Sequence, residues 1–187
     1  DLGVSPTPVR EALARLEATG MVVRAALRGY RVAPVLSHDE LMDLMEARLL
    51  IEGHTAEVAC RHADEDFLAK LERSIDDLRQ APNGPQFSDY RSYWEADERF
   101  HRTIAEQTGN RFLMGAYNSL GGHVHRFRLF GGTGVRDAGS AIEEHSQIVA
   151  AMRRGDAAEA RAAMAGHICG VQNRAIQEHE ATSAGEH

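Results

Sequence analysis

The stretch GVSPTPVREALARLEATG, residues 3–20, decides how the rest of the chain is read. Ser5 is an N-cap residue type, and the prolines at positions 6 and 8 fall on the first and third helical positions, whose backbone N–H groups have no intrahelical partner. A helix is therefore predicted from about Pro6 to Thr19, with Gly20 as its stop. Val9, Ala12, Leu13 and Leu16 recur at helical spacing and form its apolar stripe. Thr7, Arg10, Ala14 and Arg15 are left facing outward.

Beyond Gly20, MVVR at residues 21–24 and YRVA at residues 30–33 are short β-prone runs joined by a turn that ends in Gly29. They predict a two-stranded wing. Helix and wing together resemble the winged helix-turn-helix of GntR-type bacterial transcription regulators, whose recognition region reads GVSRTPVREAL, then LEAEGLV, then the wing. The resemblance covers residues 1–36 and implies operator DNA as a partner, with Ser5, Thr7, Arg10 and the wing's Gly29 as contact residues. Pro6 stands where that family often carries a DNA-contacting arginine, so Arg10 becomes the main candidate for a base or phosphate contact. The alternative is an ordinary solvated helix on which Arg10 and Arg15 serve only solubility. Asp1-Leu2 reads as the tail of a preceding helix, and such readers carry two more helices upstream. The chain is accordingly expected to be an N-terminally truncated fragment that binds its operator weakly, because residues 5–35 bury too little apolar area alone.

Charge divides the chain in the same place. Residues 1–36 carry net +2, within a total of −7 for the 187 residues, so the remainder carries −9. Only the first segment suits phosphate contact. With 43% hydrophobic residues the acidic remainder has enough apolar material for its own core. Cys60 and Cys169 lie far apart without metal-type spacing and read as reduced thiols. No apolar run approaches the roughly twenty residues of a membrane span, and a DNA-reading motif points to the cytoplasm.

After residue 36 the pattern turns helical. Ser37 with Glu40 forms a capping box for a helix to about His62, and Asp64 starts a second that ends near Gln80. Ser88 is expected to cap a third that runs to Gly109, and Asn110 begins a fourth that stops at the glycines from Gly131. A fifth runs from about Ala138 to Gly155, and Asp156 with Glu159 caps a sixth that ends near Glu178. The predicted fold is mostly α: a partial winged helix-turn-helix over residues 1–36, an all-α six-helix bundle over 37–180, and a disordered tail over 181–187.

Polar residues interrupt the apolar stripes at four places. Asp97 and His101 share a face with Tyr90, Tyr93, Trp94, Phe100 and Ile104; His145 falls among Ile142, Ile148, Val149 and Met152; His167 falls in register with Ala160, Met164, Ile168 and Val171. A carboxylate buried without a partner costs several kcal/mol or shifts its pKa, and convergence of all four on a cation resolves that cost. Three nitrogens and one oxygen leave one or two positions open on a five- or six-coordinate ion. The alternative is a set of hydrogen-bonded core histidines, with Asp97 and His101 as an i, i+4 ion pair.

The body also resembles the FadR C-terminal domain, or FCD, of the FadR subfamily of GntR regulators. The resemblance rests on Glu46-Ala47-Arg48 followed by Glu52, Asp97 with Phe100-His101, Thr108-Gly109-Asn110, Glu144-His145, Gly155-Asp156 and His167. It implies an effector-binding and dimerisation domain, hence a homodimer, and in the metal-binding branch a divalent cation on Asp97, His101, His145 and His167, of the zinc, nickel or manganese class. A small carboxylate is the implied effector. Arg48 offers it a guanidinium fork, against the alternative of a buried ion pair with Glu52, and His123 is a further candidate for the pocket lining. The leading expectation is a ligand-responsive regulator, with repression as its direction, and not an enzyme. Two alternatives stand beside it: a helical metalloenzyme acting on a small carboxylate, for which Glu144 is expected to point off the inward face, and a purely structural metal.

Overall fold

A computed structural model describes residue 3 and residues 5–82, 87–130 and 138–184. Seven helices and one hairpin are present among them: α1 (Pro6–Ala18), β1 (Val22–Ala25), β2 (Gly29–Val32), α2 (His38–Arg61), α3 (Glu65–Gln80), α4 (Phe87–Gln107), α5 (Arg111–Phe130), α6 (Ala138–Arg153) and α7 (Ala157–Ala184). The predicted class, a recognition helix and wing followed by an all-helical body, is the observed one.

Local chemistry sets most of the boundaries. The Ser37 hydroxyl accepts from the Glu40 N–H at 3.2 Å while the Glu40 carboxylate accepts from the Ser37 N–H at 2.8 Å, which completes the capping box of α2. Asp64 caps α3 through the Phe67 N–H at 2.8 Å, and Asp156 caps α7 through the Glu159 N–H at 3.0 Å. Gly20 and Gly155 adopt φ of 73° and 69° after α1 and α6, a region that L side chains reach only with strain.

One cap and two boundaries differ from expectation. Ser5 occupies the N-cap position of α1, but its side chain makes no capping hydrogen bond. The usual donor is the N–H of the third helical residue, and here that residue is Pro8. Ser88 lies inside α4, which already starts at Phe87. α7 continues past Glu178 to Ala184, because no glycine or proline interrupts the run before Gly185. The tail expected from residue 181 is thus helical to 184, and residues 185–187 lie outside the described residues. So do residues 83–86, between α3 and α4, and the glycine stop expected from residue 131.

The wing pairs antiparallel with Val22 opposite Val32 and Arg24 opposite Tyr30. Its tip holds Leu27 at φ 61°, fully exposed. No residue of α1 is buried, and Leu16 of its apolar stripe stays 42% exposed. The body is different in kind. α7 packs along α2 and α6, and α3 bridges α4 and α6. Met45, Phe67, Leu71, Phe100, Ile104, Ile148, Met152, Met164 and Ile168 fill the core between them. Among the described residues no helix is long and apolar enough to cross a membrane.

The N-terminal helix-and-wing unit, the expected reader, meets the body on α5. The Arg126 guanidinium donates to the Gly20 carbonyl at 3.0 Å, the His123 ring lies against Gly20, and Gly122 lets the Thr19 carbonyl pass close over the helix.

Candidate metal centre

Asp97 and His101 lie one turn apart on α4, His145 comes from the middle of α6 and His167 from α7, and all four are buried. One ligand-type atom from each lies within 4.8 Å of all the others. Asp97 Oδ1 stands 3.9 Å from His101 Nε2 and 3.7 Å from His145 Nε2. The imidazole centroids are 4.6 to 5.1 Å apart, and Phe100 stacks flat on His145 at 4.0 Å, which fixes that ring's plane. Donors about 2.0–2.2 Å from a zinc-like ion sit about 3–4 Å from one another, so modest contraction brings this set to bonding distance. The Nε2 atoms of His101 and His167 have no hydrogen-bond partner among the described residues. Buried acceptors aimed at a common point fit a cation better than they fit one another.

Carboxylates stand behind two of the rings. Glu144 Oε2 accepts from His167 Nδ1 at 2.8 Å. Glu52 Oε2 lies 2.7 Å from His101 Nδ1, at ion-pair distance but poorly aligned with the ring N–H. Glu52 also takes Arg48, whose Nε is 2.6 Å from Oε1 and whose outer nitrogen is 3.4 Å from Oε2. Burial alone drives the Glu52 carboxyl upward, yet Arg48 and His101 hold it well below the usual carboxylate range. The ion pair expected as one reading of Arg48 is therefore present, and the same guanidinium also borders the cavity beside the cluster.

That cavity is small, about 10 Å³, and is lined by Arg48, Trp94, Asp97, Tyr117, Leu120 and Val124 among others. Tyr117 donates to Glu98 at 2.9 Å, and its phenol is held well above its ordinary value, first by burial and then by the Glu98 charge. His123 is not in the lining. It follows Leu120 at helical spacing, but its ring is turned to Gly20, in the contact between reader and body. Ser5, Thr7, Arg10 and Gly29 are all exposed on the reader, away from the cluster. Glu144, expected to point off the inward face, instead reaches α7, and Trp94 and Tyr117 join the site without having been singled out for it. The signal for Tyr117 was its place three residues before Leu120 on the same stripe.

His167 is held well below its ordinary value, first by burial and then by His145 and His101, against the pull of Asp97. The unfolded chain takes up a proton near pH 6.5 that the folded chain resists, so this contribution to stability is complete above that pH and declines below it. Glu52, with a depressed folded value, adds a loss in the same direction only below about pH 4.5. Metal-free protein is expected to melt about 3–5 °C lower at pH 5.5 than at pH 7.5, from roughly 1.4 kcal/mol per pH unit for one group. Equal midpoints in a thermal unfolding series would contradict the assignment of His167 as a buried neutral ring.

Comparison with known proteins bears on the whole chain. Residues 43–169 match the family described as FCD domain, and residues 1–32 match the family described as bacterial regulatory proteins, gntR family. The "Probable D-xylose utilization operon transcriptional repressor" of Paenarthrobacter nicotinovorans is 29% identical over 89% of this chain and 71% of its own. Among solved structures, E. coli McbR/YncC superposes with a TM-score of 0.79 at 21% identity, over 95% of this chain and 83% of that one. The Zn2+-bound FCD domain of TM0439 does so with a TM-score of 0.61 at 18% identity, over 77% and 96%. At these identities the two structures show a shared fold alone.

Proposed function

Since the chain belongs to the FCD-domain regulators of the GntR family, we propose that it is a ligand-responsive repressor whose body holds a divalent cation on Asp97, His101, His145 and His167. The observation that carries this reading is the convergence of four buried ligand-type atoms from three helices within 4.8 Å. The zinc in the FCD domain of TM0439 supports it as a precedent on the same fold. When bound, the ion supplies a Lewis-acidic position for a ligand oxygen. The effector is a small organic acid with one carboxylate oxygen at that position, and Arg48, at the edge of the cavity, supplies the cationic partner for the other. Repression as the direction follows the sense of the relative named above.

Residues 1–36 are the DNA reader and residues 37–180 the effector and dimerisation domain, working in the cytoplasm. Arg10 and Thr7 project from α1 toward bases or phosphates, with Ser5 and the wing turn at Gly29 beside them. Two copies paired about a two-fold axis meet the two halves of an operator, and the effector acts by favouring one spacing of the readers over the other.

Metal analysis of protein purified without a nickel column tests the site. About one divalent ion per chain is expected, and almost none in a variant carrying Asp97→Ala and His145→Ala. Equal metal content in both would discard the ligand set. Thermal-shift screening of organic acids on loaded and stripped protein then tests the effector: an acid that stabilises only the loaded form supports it. A loaded protein that responds to no acid would make the ion structural.

A further inference from the structure

Glu144 precedes His145, whose ring points into the cluster, so a position 100° round α6 ought to leave it outside. Instead its carboxylate crosses to α7. Oε2 lies 2.8 Å from His167 Nδ1, and the two oxygens receive a fork from Arg174 at 2.7 and 3.0 Å. Gly170 sits between His167 and Arg174, one turn from each, and is what makes room. A Cβ there would lie 2.6 Å from Glu144 Oε1 and 2.9 Å from an Arg174 terminal nitrogen.

We propose that Glu144, clamped by Arg174 over Gly170, is the positioning residue that fixes the tautomer and aim of His167 toward the cation. An ionised carboxylate can only accept, so Nδ1 carries the hydrogen and Nε2, on the cluster side, keeps its lone pair for the metal. The fork holds both carboxylate oxygens, which leaves Glu144 a support and not a ligand. His101 has a carboxylate–arginine pair behind it too, in Glu52 and Arg48, but its ring N–H is poorly aligned with that carboxylate. The better-aligned support belongs to His167.

The inference rests on the metal reading, and one titration separates their failures. Zinc affinity of the full chain is measured by competition with a chromophoric chelator, alongside the melting temperature of each metal-free variant. Glu144→Ala is expected to weaken zinc about 10- to 100-fold, while Glu144→Gln, whose amide oxygen still accepts from Nδ1, stays within a few-fold of the parent. Gly170→Ala keeps every charge but pushes the carboxylate and the fork aside. It is expected to weaken zinc about tenfold while the metal-free melting temperature holds or rises, since alanine favours a helix interior over glycine. A merely structural role cannot move those two readouts in opposite directions. Zinc binding by Glu144→Ala or Gly170→Ala as tight as in the parent overturns the assignment, as does a Gln variant as weak as the Ala one. If the parent itself binds no zinc, the metal reading and this inference fall together.

Discussion

Replacing Arg48 by methionine in metal-free protein is expected to cost about 3–5 kcal/mol of folding stability. Arg48 and Glu52 are 2% and 3% exposed, and the Arg48 Nε stands 2.6 Å from the carboxylate. Methionine fills much of the same volume, so packing changes little. What changes is that the Glu52 charge, already driven upward by burial, loses the guanidinium that holds it ionised. Among the described residues it then has His101 to offset it, or it takes up a proton. Replacing Glu52 by methionine as well removes the stranded charge, and the double variant is expected to recover most of the loss. Urea denaturation of the parent, the two single variants and the double variant measures the coupling. A loss under about 1 kcal/mol in the Arg48 variant would contradict it, and a double variant as unstable as the single would trace the loss to packing.

Gly122→Ala is expected to free the DNA reader from the body while leaving the body intact. A Cβ at Gly122 would overlap the Thr19 carbonyl oxygen and lie 2.5 Å from its carbon. The obstructing atoms are main chain at the end of α1, so no side-chain rotation relieves the overlap and the segment must lift. The seat is narrow, with the Arg126 bond to Gly20 and the His123 ring against it. α5 itself gains, by about 1 kcal/mol, from alanine inside a helix. Trypsin is expected to cut the variant about tenfold faster at Arg24, Arg28 or Arg31, while the thermal midpoint of the body holds or rises. An unchanged cleavage rate would show that the reader is held by something other than this seat.

The parts of this fold legible in the sequence are those whose physics is local. Ser37, Asp64 and Asp156 announce their helices because a cap needs only the next three residues. The inward placement of Asp97, His101, His145 and His167 is legible because a polar residue in register with leucines and isoleucines has nowhere to go but inward, and the Arg48–Glu52 pair is legible because it spans one turn. What escaped depends on partners distant in the chain. The phase of Glu144 on α6 points it outward, yet a long side chain at the edge of a buried face reaches the neighbouring helix. The hint was on the other helix, in a glycine one turn after His167 and an arginine one turn later. His123 shares a stripe with Leu120 and Val124, but α5 has a second neighbour in the reader, which no periodicity within α5 reveals. Ser5 failed as a cap for a local reason, since Pro8 removes the donor.

The cavity beside the four-residue cluster has a kinetic consequence. At about 10 Å³ it admits about one water and no organic acid. On the proposed reading, a carboxylate would enter only once Trp94, Tyr117 or the flank of α5 swings aside, and its capture would wait on that excursion. The association rate is then expected to climb with acid concentration at first and to flatten at the opening rate of the protein, and a rate that keeps rising linearly would contradict it. If the proposed effector acts this way, the delay between a rise in its concentration and the response of the protein past that plateau is set by the chain alone, and more effector does not shorten it.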